Sequence, residues 1–238
     1  MKIINLNGVT KSQEITVSKS IGALIVCSDV AVQNLSTEKI SVYVERANGS
    51  NVILANKIPL KDFILASTYG NEAIQSDPNF HTIALCELAM DGGIFLDEKE
   101  QIKILLEDLI DANEYELHGV EEPNATNNLY FFEQKTIASE EFSKKMDVHG
   151  FDLAIMTVKA TIHDVSYTFE SGQVVKYSPF ELQTLSSNVD PVSYINGVDV
   201  YQRIDGRLSL PLVHVDYIEV NKSQGDVINF VVRNIRAV

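Results

Sequence analysis

The chain has 238 residues, a mass of 26.5 kDa and a net charge of −14, with 19 Lys plus Arg against 33 Asp plus Glu. That length holds one large sandwich or two small domains and buries a core without disulfide or metal staples. The acidic balance repels phosphate backbones and anionic headgroups, and no apolar run reaches the ~18 residues of a membrane span, so direct nucleic-acid binding and membrane-spanning helices are both disfavoured.

Val and Ile number 48 against 12 Gly, 6 Pro and no Trp, a composition suited to half-buried pleated surfaces. Residues Met1 to Glu14 hold no apolar stretch of secretory-signal length, which predicts a chain made and retained in the cytoplasm. Cys27 and Cys86 each lie in an apolar stretch and are expected to be buried free thiols.

In chain order, Ile40, Val42 and Val44 alternate with polar neighbours, Asn48-Gly49 turns the chain, and Val52-Ile53-Leu54 returns toward a helical turn opened by Pro59 and running to Leu65. The segment 102 to 109 is ambiguous. Asp97 and Glu100 match a capping box, and Ile102, Leu105, Leu106, Leu109 and Ile110 fall at helical spacing. A strand is preferred because the segment flows into the alternating Tyr115/Leu117 pair. The polar run from Glu121 to Asn128, then Leu129-Tyr130-Phe131-Phe132 and a charged stretch to Gly150, reads as a connector. Its aromatics are too sticky for free linker and should pack at a seam between domains or subunits, with a short helix capped by Ser139 at Ser139 to Phe142. Beyond it the pattern repeats. Val165, Tyr167 and Phe169 alternate, Ser171-Gly172 turns, Val174-Val175 returns, and Pro179 opens a second helical turn 120 residues after Pro59. Residues 213–220 and 227–232 then form a terminal hairpin like that of 102–106 and 114–119. The expectation is an all-β chain: a first sandwich at 1–122, a connector at 123–149 and a second sandwich at 150–238, eight strands in each, with Val42, Val44, Tyr167 and Phe169 facing the cores.

Chemistry is sparse. No Walker-type loop, G-x-G-x-x-G, G-x-S-x-G, H-E-x-x-H or C-x-x-C occurs. His81, His118, His149, His163 and His214 are scattered, without the i, i+2 or i, i+4 spacing that brings two imidazoles to one metal from a single strand or helix. Glu87 to Glu122 holds twelve carboxylates against two Lys, a solvated acidic face unless loops gather it into a calcium site. No catalytic, cofactor-binding or metal residue is assigned, and no cofactor is expected.

Two strand-rich halves, each with a hairpin followed by a short helix and a closing antiparallel pair, resemble the double jelly-roll major capsid proteins of tailless icosahedral viruses with an internal membrane, above all the small corticovirus-type bacteriophage coat proteins. The resemblance rests on Val52 to Leu65, on Phe131-Phe132 and on the strand Phe151 to Ala160, and it covers most of the chain. It implies a non-enzymatic virion protein with compact loops, found in the capsid. Such subunits form pseudo-hexagonal homotrimers that meet neighbouring capsomers, vertex (penton) proteins and the internal membrane. The competing reading is a two-domain β-sandwich adhesin or carbohydrate-binding module displaying aromatics such as Tyr115, Tyr130, Tyr194 and Tyr201.

Overall fold

The computed structural model describes residues 1–69, 74–186 and 206–238, and the backbone of 193–195 and 198–200. The first half is built from β1 (Lys2–Asn7), β2 (Ile15–Val17), β3 (Ile21–Ser28), β4 (Lys39–Glu45), β5 (Asn51–Pro59), β6 (Thr82–Glu87), β7 (Gln101–Glu107) and β8 (Glu114–Glu121), with burial alternating at period two along β6 and β7. Helix α1 (Leu60–Thr68) lies between β5 and β6. The strands pair antiparallel in the orders β1-β8-β3-β6 and β2-β7-β4-β5.

The second half repeats this with every strand number raised by eight. β9 (Asn128–Ile137), β10 (Ser143–Asp147), β11 (Leu153–Thr157), β12 (Ile162–Phe169), β13 (Val174–Tyr177), β14 (Arg207–Pro211), β15 (Val215–Lys222) and β16 (Ile228–Ala237) form sheets β9-β16-β11-β14 and β10-β15-β12-β13. Helix α2 (Pro179–Ser186) again sits between the fifth and sixth strands. The identical strand order in both halves is the eight-stranded jelly roll, two facing sheets linked by Greek-key connections. Both proline segments are helical at equivalent places, Pro59 as the residue before α1 and Pro179 as the first residue of α2.

Val42 and Val44 are buried in one core, Tyr167 is buried in the other, and Phe169 packs half-buried against it. The ambiguous segment 102–109 is strand β7 through Glu107, with Ile102, Ile104 and Leu106 buried. Its apparent capping box is a turn: Glu100 accepts the Asp97 N–H at 3.0 Å and donates its own N–H to the Asp97 carbonyl at 3.0 Å. The stretch read as a connector holds two strands, and the helix expected within it is absent. Residues 128–137 and 143–147 are β9 and β10, hydrogen-bonded to β16 and β15, because the aromatic run and the residues after it pair along full strands. The segment 139–142 turns rather than forming a helix, since the Glu141 carboxylate takes the Ala138 N–H at 2.6 Å and closes the reversal from β9 to β10.

One backbone bridge, Phe132 with Ala55, joins β9 to β5 in parallel, so an eight-stranded sheet crosses from one sandwich to the other. On the opposite layer the short strand Ser193–Ile195 pairs with Ile74–Ser76 beside β6.

Candidate assembly interface

The contact between the two sandwiches is built around α1. Every residue of that helix except Lys61 is buried, Asp62, Ser67 and Thr68 among them, so the helix is enclosed on nearly every side. Its outer flank is covered by the outward face of the β9-β16-β11-β14 sheet. Leu153, Ile155 and Val231 belong to the first core, whereas their chain neighbours Ala154, Met156, Phe230 and Val232 belong to the second. Strand β11 is therefore buried on both faces, which is why its sequence runs apolar from Leu153 through Met156 without alternating. Phe132 meets Phe63 of α1 with ring centroids 4.8 Å apart, and Leu129 and Tyr130 are buried beside it. These connector aromatics thus fill the seam between the two sandwiches of one chain.

Two arginines complete the seam. Arg207 of β14 donates from Nε to Asp62 of α1 at 2.5 Å; burial pushes that carboxyl up, and the guanidinium opposes the shift. Arg233 of β16 donates from Nη1 to the Ala66 carbonyl at 2.5 Å, in the last turn of α1, where a cation also meets the negative end of the helix dipole. Its other arms hold Asp152 at 2.6 and 3.1 Å, and its plane lies 5.2 Å from the Tyr130 ring and 5.9 Å from that of Tyr69.

The counterpart surfaces lack such cover. In α2 only Leu182 and Ser186 are buried, while Phe180 is 76% and Leu185 53% exposed, and Val174 on the adjoining strand β13 is 61% exposed. An apolar cleft of about 330 Å³ opens beside them, lined by Tyr177, Leu185, Pro211 and Val213 among others. Among the described residues β13 pairs with β12 alone and β1 with β8 alone, so each lies at a sheet edge. On the outward face of the sheet holding β1, Ile25, Ile83 and Leu85 are half-buried and lie on neighbouring strands.

The remaining sequence candidates disperse. Tyr115 and Tyr130 are buried, which removes them as displayed aromatics; Tyr201 and the side chain of Tyr194 lie outside the described residues. The acidic stretch 87–122 is spread over the first sandwich and answered by cations: Glu100 by Arg46, Glu107 by Lys11, Asp108 by Lys39, Glu116 by Lys2 and Glu121 by Lys19. It gathers no cation-binding group among the described residues. Cys27 and Cys86 are buried free thiols. Of the histidines, His149 and His214 come to the same end of the second sandwich, 65 positions apart in sequence, a convergence that only the strand order reveals. Among the described residues no helix is long and apolar enough to cross a membrane.

Neither a family model nor a curated protein matches this sequence. Among solved structures, the chain is similar to the major capsid protein P2 from Bacteriophage PM2, at 11% identity over 100% of this chain and 98% of that one, with a TM-score of 0.59. A structure of Sulfolobus Turreted Icosahedral Virus aligns at 12% identity over 99% of this chain and 90% of that one, with a TM-score of 0.49. With the strand order of both halves, the full-length likeness to the P2 protein identifies the fold as a double jelly roll.

Proposed function

We propose that this chain is the major capsid protein of an icosahedral, lipid-containing virus, a structural and non-catalytic protein that assembles as a homotrimer. One observation carries the reading: the face that binds the two sandwiches together exists twice, and its second copy is unpartnered. Within the chain, β5 and α1 of the first sandwich pack on β9 and the outward face of the second. Among the described residues the equivalents have no partner: β13 with α2 is apolar, and the outward face beside β1 is apolar at Ile25, Ile83 and Leu85 and charged at Lys2, Glu116 and His118. A second copy seated there repeats the internal contact. Such a head-to-tail interface closes into a ring, and three chains give six sandwiches around one axis.

The same reading takes residues 1–122 as the first jelly roll and Asn128 as the start of the second. Neighbouring capsomers, vertex proteins and an internal membrane are the partners such a tile requires.

Sedimentation of the purified chain tests it: a trimer is expected, reduced to monomer by the double variant Phe180→Asp, Leu185→Asp. Burying a large apolar side chain is worth about 1.5–3 kcal/mol, so two charges there should weaken association by roughly a thousandfold or more. A wild-type monomer at high concentration overturns the proposal. Cage-like particles seen by electron microscopy would extend it from capsomer to shell.

A further inference from the structure

Three turns at one end of the second sandwich bring four metal-binding side chains together. His149 lies in the turn from β10 to β11, Glu170 in the turn from β12 to β13, His214 in the turn from β14 to β15, and Asp216 at the start of β15. His149 Nδ1 stands 2.9 Å from Asp216 Oδ1, and His214 Nδ1 stands 3.2 Å from Glu170 Oε2. One donor atom each of His149, Glu170 and Asp216 falls within 4.8 Å of the others. The backbones beneath are tied: the Val148 N–H donates to the Asp216 carbonyl at 2.9 Å and the Glu170 N–H to the His214 carbonyl at 3.0 Å.

We propose that this cluster binds a divalent transition metal of the zinc class, with His149, Glu170 and Asp216 as ligands and His214 completing the set. Zinc–ligand bonds of about 2.0–2.2 Å in a tetrahedron place donor atoms roughly 3.3–3.6 Å apart, so the exposed His149 and Glu170 need only small rotations toward the half-buried Asp216 to close on an ion. Two carboxylates balance the charge of the cation. Two imidazoles select zinc, nickel or copper over calcium and magnesium, which take oxygen shells. The ion replaces the His149–Asp216 hydrogen bond and adds a clasp to turns already tied by the Val148–Asp216 and Glu170–His214 backbone bonds.

This site stands apart from the capsid reading, since it lies within one sandwich and needs no second copy. Titration calorimetry of the full chain with zinc chloride tests it. One ion per chain, a rise of several degrees in the thermal midpoint and no response to calcium chloride are expected. His149→Ala and Asp216→Asn should each lose tenfold or more in affinity, with His163→Ala, on the flank of the same sandwich, unchanged. Cobalt(II) gives a reading on the unaltered chain, since a tetrahedral nitrogen and oxygen shell produces intense visible bands. No heat, no shift in midpoint and no cobalt bands with metal at about 100 μM would overturn the proposal. So would full zinc affinity in a His149→Ala, His214→Ala double variant.

Discussion

Arg233 touches both sandwiches at once, and its removal strands several groups together. Asp152 loses its cation, the Ala66 carbonyl loses its donor, and the Tyr69 and Tyr130 rings lose the guanidinium lying over them. Arg233→Ala should therefore cost about 1.5–3 kcal/mol in urea denaturation, the range for charge-assisted hydrogen bonds, since Asp152 is partly exposed to water. Gly22 is constrained differently: a Cβ there would sit 2.5 Å from the Gly92 carbonyl oxygen, a backbone atom unable to swing aside. Gly22→Ala should cost about 1–3 kcal/mol by the same measurement, as overpacking does. The thiols should be inert to Ellman's reagent until the chain unfolds, because burial pushes Cys27 up to about 11 and Cys86 higher still. Lys2 beside Glu116 and Lys11 beside Glu107 hold those carboxyls below their usual range. A carboxylate depressed in the folded state stabilises fully above its unfolded pKa, and that contribution is lost as pH falls through the folded value. Thermal midpoints should thus fall as acid is added below about pH 4, and Glu116→Gln should flatten the decline.

At the scale of elements, what the sequence disclosed tracks how many faces each element buries. β4, β7 and β12 bury one face, so Val42, Ile104 and Val165 announce them by alternation. β11 buries both faces and shows only that it is apolar. β9 was hidden for another reason: its first residues belong to one core and Ile137 to the other, so no single period runs along it. The two helices occupy equivalent positions yet differ in exposure, and that difference, rather than their shared proline, marks the candidate interface. Accordingly Phe132→Ser, which strips the partner from Phe63, should unfold the monomer at a cost of about 3–5 kcal/mol. Charges at Phe180 and Leu185 should leave the monomer's midpoint nearly unchanged, since exposed positions contribute little to folding. Comparing denaturation and sedimentation for the two variants separates the inner seam from the outer one.

For the whole molecule, completeness of each sandwich sets the order of events during synthesis. All eight strands of the first jelly roll emerge from the ribosome before Asn128, so that half has every pairing it needs while the second is still unmade. Its covering layer is what arrives late. Until β11 and β16 fold, the flank of α1 that meets Leu153, Ile155 and Val231 faces water, and Phe63 has no Phe132. A nascent chain paused in the second half is thus a folded domain whose α1 flank is uncovered and prone to capture another such flank on the same polysome. Released fragments ending near residue 127 should be strand-rich by circular dichroism yet sediment as aggregates, and co-expression with the missing half should return them to solution.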